Sequence, residues 1–241
     1  MKAKRTFVTA VLALGMAILT GSVIAKPAAL PYFDATYSAS IKGVPITATR
    51  SFSAISNNVS ELHFNADSWI ASLDENAKFI WEQDAIKPLR FSHERKIIGR
   101  QEIKRLTFDW ANNKIVSVDK ERTYTMDNSE KALDHLSFQL QLQYDLLKGQ
   151  LNNKYRIADK NSIKEYRFEI MEEEVINTEV GQLNTVKIKV LRQDKGRITY
   201  IWFAKDWHYL LVRLEQFEDG DMEFELQLTK ATVAQQAVTG L

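Results

Sequence analysis

The stretch FDATYSASIKGVPITATRSFSA, residues 33–54, indicates the fold class. Apolar side chains occupy every second position of residues 33–41, and the alternation resumes in residues 44–54 after Lys42-Gly43. Alternation with a period of two is typical of a half-buried strand, and a glycine between two such runs favours a tight turn. The sequence therefore predicts an antiparallel hairpin at the start of a β-rich body.

The rest of the chain repeats this pattern, with short turns between the runs. Consecutive strands joined by short turns form an antiparallel meander. About a dozen strands exceed a comfortable flat sheet, so we expect a mainly β fold whose sheet curls into a half-barrel or barrel, or splits in two. The other predicted strands are residues 61–69, 78–83, 89–96, 102–110, 114–119, 122–126, 165–171, 175–179, 183–191, 197–204, 209–217 and 222–229.

One segment, residues 129–148, interrupts the strands and predicts a central amphipathic helix. Asp127 followed by Glu130 resembles a capping box, and Gly149 suits the position just past a helix end. Every second residue from 138 to 146 is apolar as well, as in a strand, but Leu and Gln favour the helix. We expect the helix to bury its apolar face in the concave side of the sheet. That face comprises Leu133, Leu136, Leu140, Tyr144 and Leu147.

Residues 1–25 have the order of regions expected of a cleavable secretory signal peptide. Three positive charges within residues 1–5 precede an apolar run over residues 7–19, and Val23-Ile24-Ala25 offers a cleavage site. An uncleaved membrane anchor is the alternative, but the run is shorter than the roughly 20 apolar residues that span a bilayer. We therefore expect export to the periplasm and a single β-rich domain over residues 26–241.

The composition limits the possible partners and covalent links. The chain has no cysteine, which excludes disulfides and the cysteine-linked lipid of a lipoprotein. It has 32 Lys and Arg, three of them within residues 1–5, against 31 Asp and Glu, so cleavage after Ala25 leaves a net charge of −2. A nearly neutral surface argues against nucleic acid, or anionic lipid bound non-specifically, as a partner. No later segment is long and apolar enough for a transmembrane helix.

No motif for catalysis, for a metal or for a cofactor stands out, and we predict none of the three. The histidines lack the spacing of a metal site, no serine lies in Gly-x-Ser-x-Gly, and no glycine-rich phosphate loop is present. The acidic residues 218–225 could attract calcium, but a hairpin turn at Asp219-Gly220 and the solvent face of a strand explain them better. The four histidines are His63, His93, His135 and His208.

Arg50 is an anomaly in the second predicted strand. It falls on the face of that strand where the alternation places apolar residues. A buried arginine needs a carboxylate partner or an anionic ligand. A local bulge that turns the side chain outward is the alternative.

Six short motifs follow one another along the chain: ATYSA (residues 35–39), ATRSF (48–52), LTFDW (106–110), DHLSFQLQL (134–142), TYIWFAKD (199–206) and LLVRL (210–214). In this order they resemble the exported bacterial family known as domain of unknown function 3108. The resemblance extends from about residue 31 to residue 230 and departs at Leu211, where we expect proline. It implies a periplasmic location and one β-rich domain, and it transfers no catalytic residue. The closing strands are also similar to periplasmic lipoprotein carriers, although architecture alone does not fix function.

Large rings on both faces of several strands lead to the functional hypothesis. Core packing explains many such rings, but a curled sheet with a helix across its mouth also encloses a hydrophobic groove. We expect a non-enzymatic periplasmic binding or accessory protein that holds a hydrophobic ligand or lipid in this groove. The candidate lining residues are Trp81, Trp110, Leu136, Leu140, Tyr144, Leu147 and Trp202.

Two alternatives remain open at this point. One is a cell-envelope hydrolase that uses a pair of carboxylates, such as Asp109 with a second acid, whose pKa values diverge in a polar cleft. The other is a structural protein that adds the free edge of its sheet to another envelope protein.

Overall fold

The computed structural model describes residues 30–56, 58–191 and 196–241. These residues form one antiparallel sheet with one α-helix, which confirms the predicted fold class. The predicted signal peptide, residues 1–25, lies outside the described residues. Within the described ranges, no helix combines the length and the apolar character needed to cross a membrane.

Fifteen strands and the helix α1, Ser137–Leu147, follow one another in this part of the chain, with a short 3-10 turn at Lys205–Trp207. The strands are β1 Phe33–Ile41, β2 Val44–Ala54, β3 Ser60–Asp67, β4 Ala71–Glu82, β5 Ala85–Ile97, β6 Arg100–Asp109, β7 Lys114–Asp119, β8 Arg122–Asp127, β9 Lys154–Asp159, β10 Ser162–Thr178, β11 Gly181–Leu191, β12 Arg197–Ala204, β13 Leu210–Glu218, β14 Asp221–Val233 and β15 Gln236–Ala237.

The sheet consists of two meanders that meet at one long-range pairing. Strands β1 to β8 are neighbours in sequence order, as are β9 to β14, and β1 also pairs with β14. Phe33 lies opposite Val233 in that pairing. The sheet stays open between its edge strands β8 and β9, although Leu133, from the segment between them, forms an isolated bridge to Ile157 of β9. The architecture is therefore a curled, open barrel.

The antiparallel pairing places the turns alternately at two ends of the curled sheet. We call one end the mouth and the other the base. The mouth carries the turns at residues 42–43, 68–70, 98–99, 120–121, 160–161 and 219–220. The base carries the turns at residues 83–84, 110–113, 179–180 and 205–209.

Helix α1 lies inside the curl, and its second half closes the base. Gln143 Nε2 donates a 3.0 Å hydrogen bond to the backbone oxygen of His208, and the Tyr144 hydroxyl donates to the carboxylate of Asp84. More of the helix surface is buried than the single apolar face that we predicted, because the sheet encloses the helix on nearly every side. Its buried residues are Ser137, Phe138, Leu140, Gln141, Leu142, Gln143, Tyr144 and Leu146.

The helix begins at Ser137 and not at residue 129, where we predicted its start. The segment before it is held by the edge of the sheet. The backbone amide of Leu133 donates to the carbonyl of Arg156, and the Leu133 carbonyl accepts from Ala158, both at 2.8 Å. These bonds hold Leu133 beside β9 and so keep the segment out of the helix.

Asp134 organises the start of α1, and the predicted capping box of Asp127 and Glu130 is wrong. Asp134 Oδ1 accepts hydrogen bonds from the amides of Leu136 at 2.9 Å and Ser137 at 2.8 Å. Burial raises the pKa of the Asp134 carboxyl despite these bonds. The amide of Phe138 donates to the Asp134 carbonyl, so the first two amides of the helix are both bound by Asp134.

The strands that follow the helix, β9 and β10, also differ from the prediction. β10 is continuous over residues 162–178, where we predicted strands at 165–171 and 175–179 with a break between them. Its pairing with β11 shifts between Ile170 and Glu172, so the irregularity is a bulge within one strand. β9, Lys154–Asp159, was not predicted.

Candidate functional site

An open cleft fills the half of the barrel that α1 leaves free, on the side of the mouth. It has two contiguous lobes of about 400 Å³ each. The lobes share residues from both meanders, which confirms that the sheet curls around a common space. The shared residues are Glu75, His93, Gln139, Arg197, Leu214, Gln216 and Phe224.

The first lobe, which we call the apolar lobe, is lined by rings and aliphatic side chains from β1, β3, β4, β13 and β14, and by the start of the helix segment. These residues include Tyr37, Phe64, Leu73, Leu136, Leu211 and Leu226. The second, which we call the basic lobe, carries polar and charged residues from β6, β9, β10 and β12. These include Lys104, His135, Asp159, Lys160, Lys164 and Thr199.

Arg50 lies at the inner wall of the apolar lobe and is only 3% exposed. It pairs in regular register with Ala35 on one side and Phe64 on the other, so β2 has no bulge here and the outward alternative is wrong. Neither Nε nor Nη2 of its guanidinium has a hydrogen-bond partner. The guanidinium carbon lies 5.9 Å from the centre of the Phe33 ring.

Tyr37 and Glu75 interact with the charge of Arg50, but each is hydrogen-bonded to another group. The Tyr37 hydroxyl donates a 2.9 Å hydrogen bond to the backbone oxygen of Leu211, and burial raises the pKa of Tyr37 to about 12, so it stays uncharged. The Glu75 carboxylate is paired with His93, whose Nδ1 lies 2.8 Å from it. Burial lowers the pKa of Arg50, which reflects the cost of a buried positive charge.

Three basic side chains surround the carboxylate of Asp159 in the basic lobe. Its carboxylate lies 3.5 Å from His135 Nε2, 3.6 Å from Lys164 Nζ and 3.9 Å from Lys104 Nζ. The hydrogen bond from His135, supported by the charges of the two lysines, holds the pKa of Asp159 well below its ordinary value. Thr199 Oγ1, which also lines this lobe, is buried without a hydrogen-bond partner.

The cleft as a whole is positively charged, whereas the chain is nearly neutral. Seven Lys or Arg line the two lobes against four Asp or Glu. A concave surface lined by one sign of charge concentrates ligands of the opposite sign. The cations are Lys42, Arg50, Arg95, Lys104, Lys160, Lys164 and Arg197, and the acids are Glu75, Asp159, Glu218 and Glu223.

The seven residues predicted to line a groove divide between the cleft and the packing of the helix against the sheet. Leu136 lines the apolar lobe. Leu140 is fully buried, and the Tyr144 ring centre lies 4.9 Å from that of Trp81. Leu147 is partly buried against the same core.

The two remaining tryptophans of that prediction donate hydrogen bonds from their indole nitrogens to neighbouring strands. Trp110 Nε1 donates to the Pro88 carbonyl at 2.6 Å, and Trp202 Nε1 donates to Glu174 Oε1 at 2.7 Å. Contact of these residues with a ligand stays a prediction.

The sequence did not reveal the cross-strand pair of Glu75 and His93. The two residues lie directly opposite each other on β4 and β5. The predicted strand began only at residue 78, so Glu75 had no assigned partner. The acid proposed for a hydrolase, Asp109, lies at the base instead, where its carboxylate accepts hydrogen bonds from the backbone and side chain of Asn112. Within the described ranges, no three His, Asp or Glu side chains are grouped as metal ligands.

Comparison with known proteins gives a family and a fold. A model of the family described as a protein of unknown function (DUF3108) matches residues 26–227. No curated protein matches the chain. The structure of a β-barrel-like protein of the domain of unknown function DUF1849 from Brucella abortus is similar, with a TM-score of 0.57 at 10% identity, over 85% of this chain and 98% of that one.

Two further solved structures cover most of the chain with lower scores. One is a presumed lipoprotein from Parabacteroides distasonis, with a TM-score of 0.33 and 13% identity over 84% of this chain and 95% of that one. The other is a presumed exported protein with a YmcC-like fold from Bacteroides fragilis, with a TM-score of 0.34 and 10% identity over 85% and 100%. The Brucella structure thus supports the fold alone.

Proposed function

Since the chain belongs to the family of proteins of unknown function DUF3108, we propose its function from the cleft: it is a periplasmic, non-enzymatic protein that binds an anionic amphiphile. Arg50 carries this proposal. A buried guanidinium without a carboxylate partner is costly unless a ligand supplies the opposite charge. A carboxylate or phosphate group can accept two parallel hydrogen bonds from its nitrogens.

The surroundings of Arg50 favour an acid group on the ligand. Glu75 is hydrogen-bonded to His93 and Tyr37 to a backbone oxygen, so Nε and Nη2 of the guanidinium stay available to an acid group of the ligand. The amides of Ser137 and Phe138, the first two of α1, are bound by Asp134 and are not available to a ligand. Arg50 therefore remains the principal anchor, with the cations of the basic lobe adding a favourable field.

The wall around Arg50 favours an apolar tail on the same ligand. Phe64 lies beside Arg50 on β3, and Leu73 and Phe224 line the cleft from there towards the mouth. A volume of about 400 Å³ in each lobe lies within the range of small-molecule sites. We propose that the acid group contacts Arg50 and that the tail lies along the apolar lobe, with Leu136 at its floor.

The location is part of the same proposal. The signal-peptide pattern of residues 1–25 supports export, and an exported carrier meets lipids and their acidic products in the cell envelope. A site that shields an apolar tail from water is useful in that compartment.

The test uses residues 26–241 and isothermal titration with three twelve-carbon ligands: dodecanoate, dodecyl phosphate and the uncharged dodecanol. We expect both anions to bind at least about tenfold more tightly than dodecanol, which corresponds to the ~1.4 kcal/mol of a modest charge-assisted contact. Arg50→Met should abolish the preference for the anions, since the apolar wall remains and the charge is gone.

Arg90→Met is the matched control, because Arg90 is exposed on the same sheet and does not line either lobe. It should bind like the parent protein. The proposal is wrong if none of the three ligands binds, or if Arg50→Met retains the full preference for the anions.

A further inference from the structure

Two turns of the mouth expose large apolar side chains at their ends. Trp69, in the turn between β3 and β4, is 87% exposed, and Ile98, between β5 and β6, is 74% exposed. The two turns are joined by a 3.2 Å hydrogen bond from the Ile98 amide to the Ile70 carbonyl. We call Trp69, Ile70, Ile97 and Ile98 the tip.

Charged residues of both signs flank the tip. Lys96 and Arg100 lie on the side of β5 and β6, and Asp67 precedes the other turn. Lys96 forms a 2.8 Å ion pair with Glu94, two residues earlier on β5, and both Lys96 and Arg100 are exposed. The acidic turn of residues 218–221 is separated from the tip by the turn between β1 and β2, as the strand order requires.

The turn that carries Trp69 connects two strands that form the apolar wall of the cleft. β3 contributes Phe64 to that wall, and β4 contributes Leu73. Trp69 lies between these two strands in sequence, at the rim of the opening. A surface that contacts the tip therefore also faces the entrance of the apolar lobe.

We infer that the tip inserts into the interfacial region of a phospholipid bilayer and turns the mouth towards the membrane. Tryptophan favours the boundary between headgroups and acyl chains, and isoleucine beside it adds buried apolar area. Trp69 and Ile98 protrude from two turns, and a bilayer interface accepts such an apolar protrusion. Lys96 and Arg100 suit anionic headgroups at the depth where the tip ends. The near-neutral charge of the chain makes this contact local to the tip.

The test is co-sedimentation with vesicles of three parts phosphatidylethanolamine to one part phosphatidylglycerol, together with quenching of tryptophan emission by brominated acyl chains. We expect the parent protein to sediment with the vesicles and its emission to be quenched. The double variant Trp69→Ser with Ile98→Ser should partition at least about tenfold less, since each large apolar side chain accounts for more than that factor when fully buried.

Ile55→Ser is the matched control, because Ile55 is an exposed apolar residue between β2 and β3, at the opposite end of the barrel. It should partition like the parent protein, and circular dichroism should report the same fold for all variants. Arg50→Met should also bind vesicles normally, so a failure of ligand binding is distinguishable from a failure here. The inference is overturned if the parent protein does not bind to vesicles in large excess, or if the double variant binds them equally well.

Discussion

Gln141 Oε1 on α1 accepts a 2.7 Å hydrogen bond from the backbone amide of Ile86 on β5, and this bond joins the helix to the sheet at the base. The same side chain donates through Nε2 to the Asp84 carbonyl at 3.0 Å. Gln141, which is buried on the helix, therefore satisfies both polar groups of its amide against one turn of the sheet. This contact positions the helix below the cleft.

The first prediction concerns this contact. Gln141→Leu should lower the free energy of unfolding by about 1–3 kcal/mol, because the Ile86 amide loses its acceptor while it remains buried. Urea denaturation measures the difference. Gln150→Leu, at an exposed position just past the helix, should change stability by less than about 0.5 kcal/mol. Equal stability of the two variants would show that the Gln141 amide is dispensable.

The second prediction is that Arg50 destabilises the unliganded protein. Arg50→Met should raise the free energy of unfolding by about 1–4 kcal/mol, since it replaces a buried unpaired cation by an apolar side chain. Such a gain in stability with a loss of binding is typical of functional sites. Thermal unfolding of ligand-free protein measures the effect, with Arg90→Met as the neutral control. A clear loss of stability in Arg50→Met would argue that the guanidinium has a partner in the unliganded protein.

The third prediction concerns the stability of the protein at low pH. The pKa of Asp159 is held below its ordinary value of 3.8 by the bond from His135 and by two lysines. A carboxyl whose pKa is lower in the folded state contributes stability above its unfolded pKa and loses it as the pH falls. Asp159→Asn should therefore be less stable than the parent at pH 7, and the difference should shrink below about pH 4. Unfolding curves between pH 3 and 7 test this, and a constant difference would contradict it.

The fourth prediction concerns the packing of the helix. Leu140→Ala should cost about 2–5 kcal/mol, because Leu140 is fully buried between helix and sheet and the enclosed space cannot collapse easily. Leu147→Ala should cost clearly less, since Leu147 is only partly buried at the end of the helix. Both values come from urea denaturation, and a cost for Leu147→Ala equal to that of Leu140→Ala would contradict the position of the helix.

The hairpin of β1 and β2 was predicted with its observed bounds, because its alternation is regular and a glycine with positive φ, Gly43, closes the turn. The early part of β4 was missed for a physical reason. Its inward positions there include Glu75, which faces the cleft and not an apolar core. A polar residue on the inner face interrupts the alternation, so the pattern fails where the site lies.

The same reasoning explains the errors at the helix. Gln141 and Gln143 are buried but polar, so the sequence predicted one apolar face where the sheet encloses the helix almost completely. Arg50, in contrast, was recognisable from the sequence because it breaks an otherwise regular run. The grouping of Arg50 with residues of β4, β5 and β13 depends on how the sheet curls, and no local spacing encodes that.

The pairing of β1 with β14 determines when the barrel can be completed. Every other pairing between long strands joins neighbours in the sequence, whereas this one joins residues as far apart as Phe33 and Val233. A chain made from its N-terminus therefore presents β1 with one open edge until β14 has been made. An unpaired edge readily recruits other strands, so the protein has its greatest need of protection just before β14 pairs with β1.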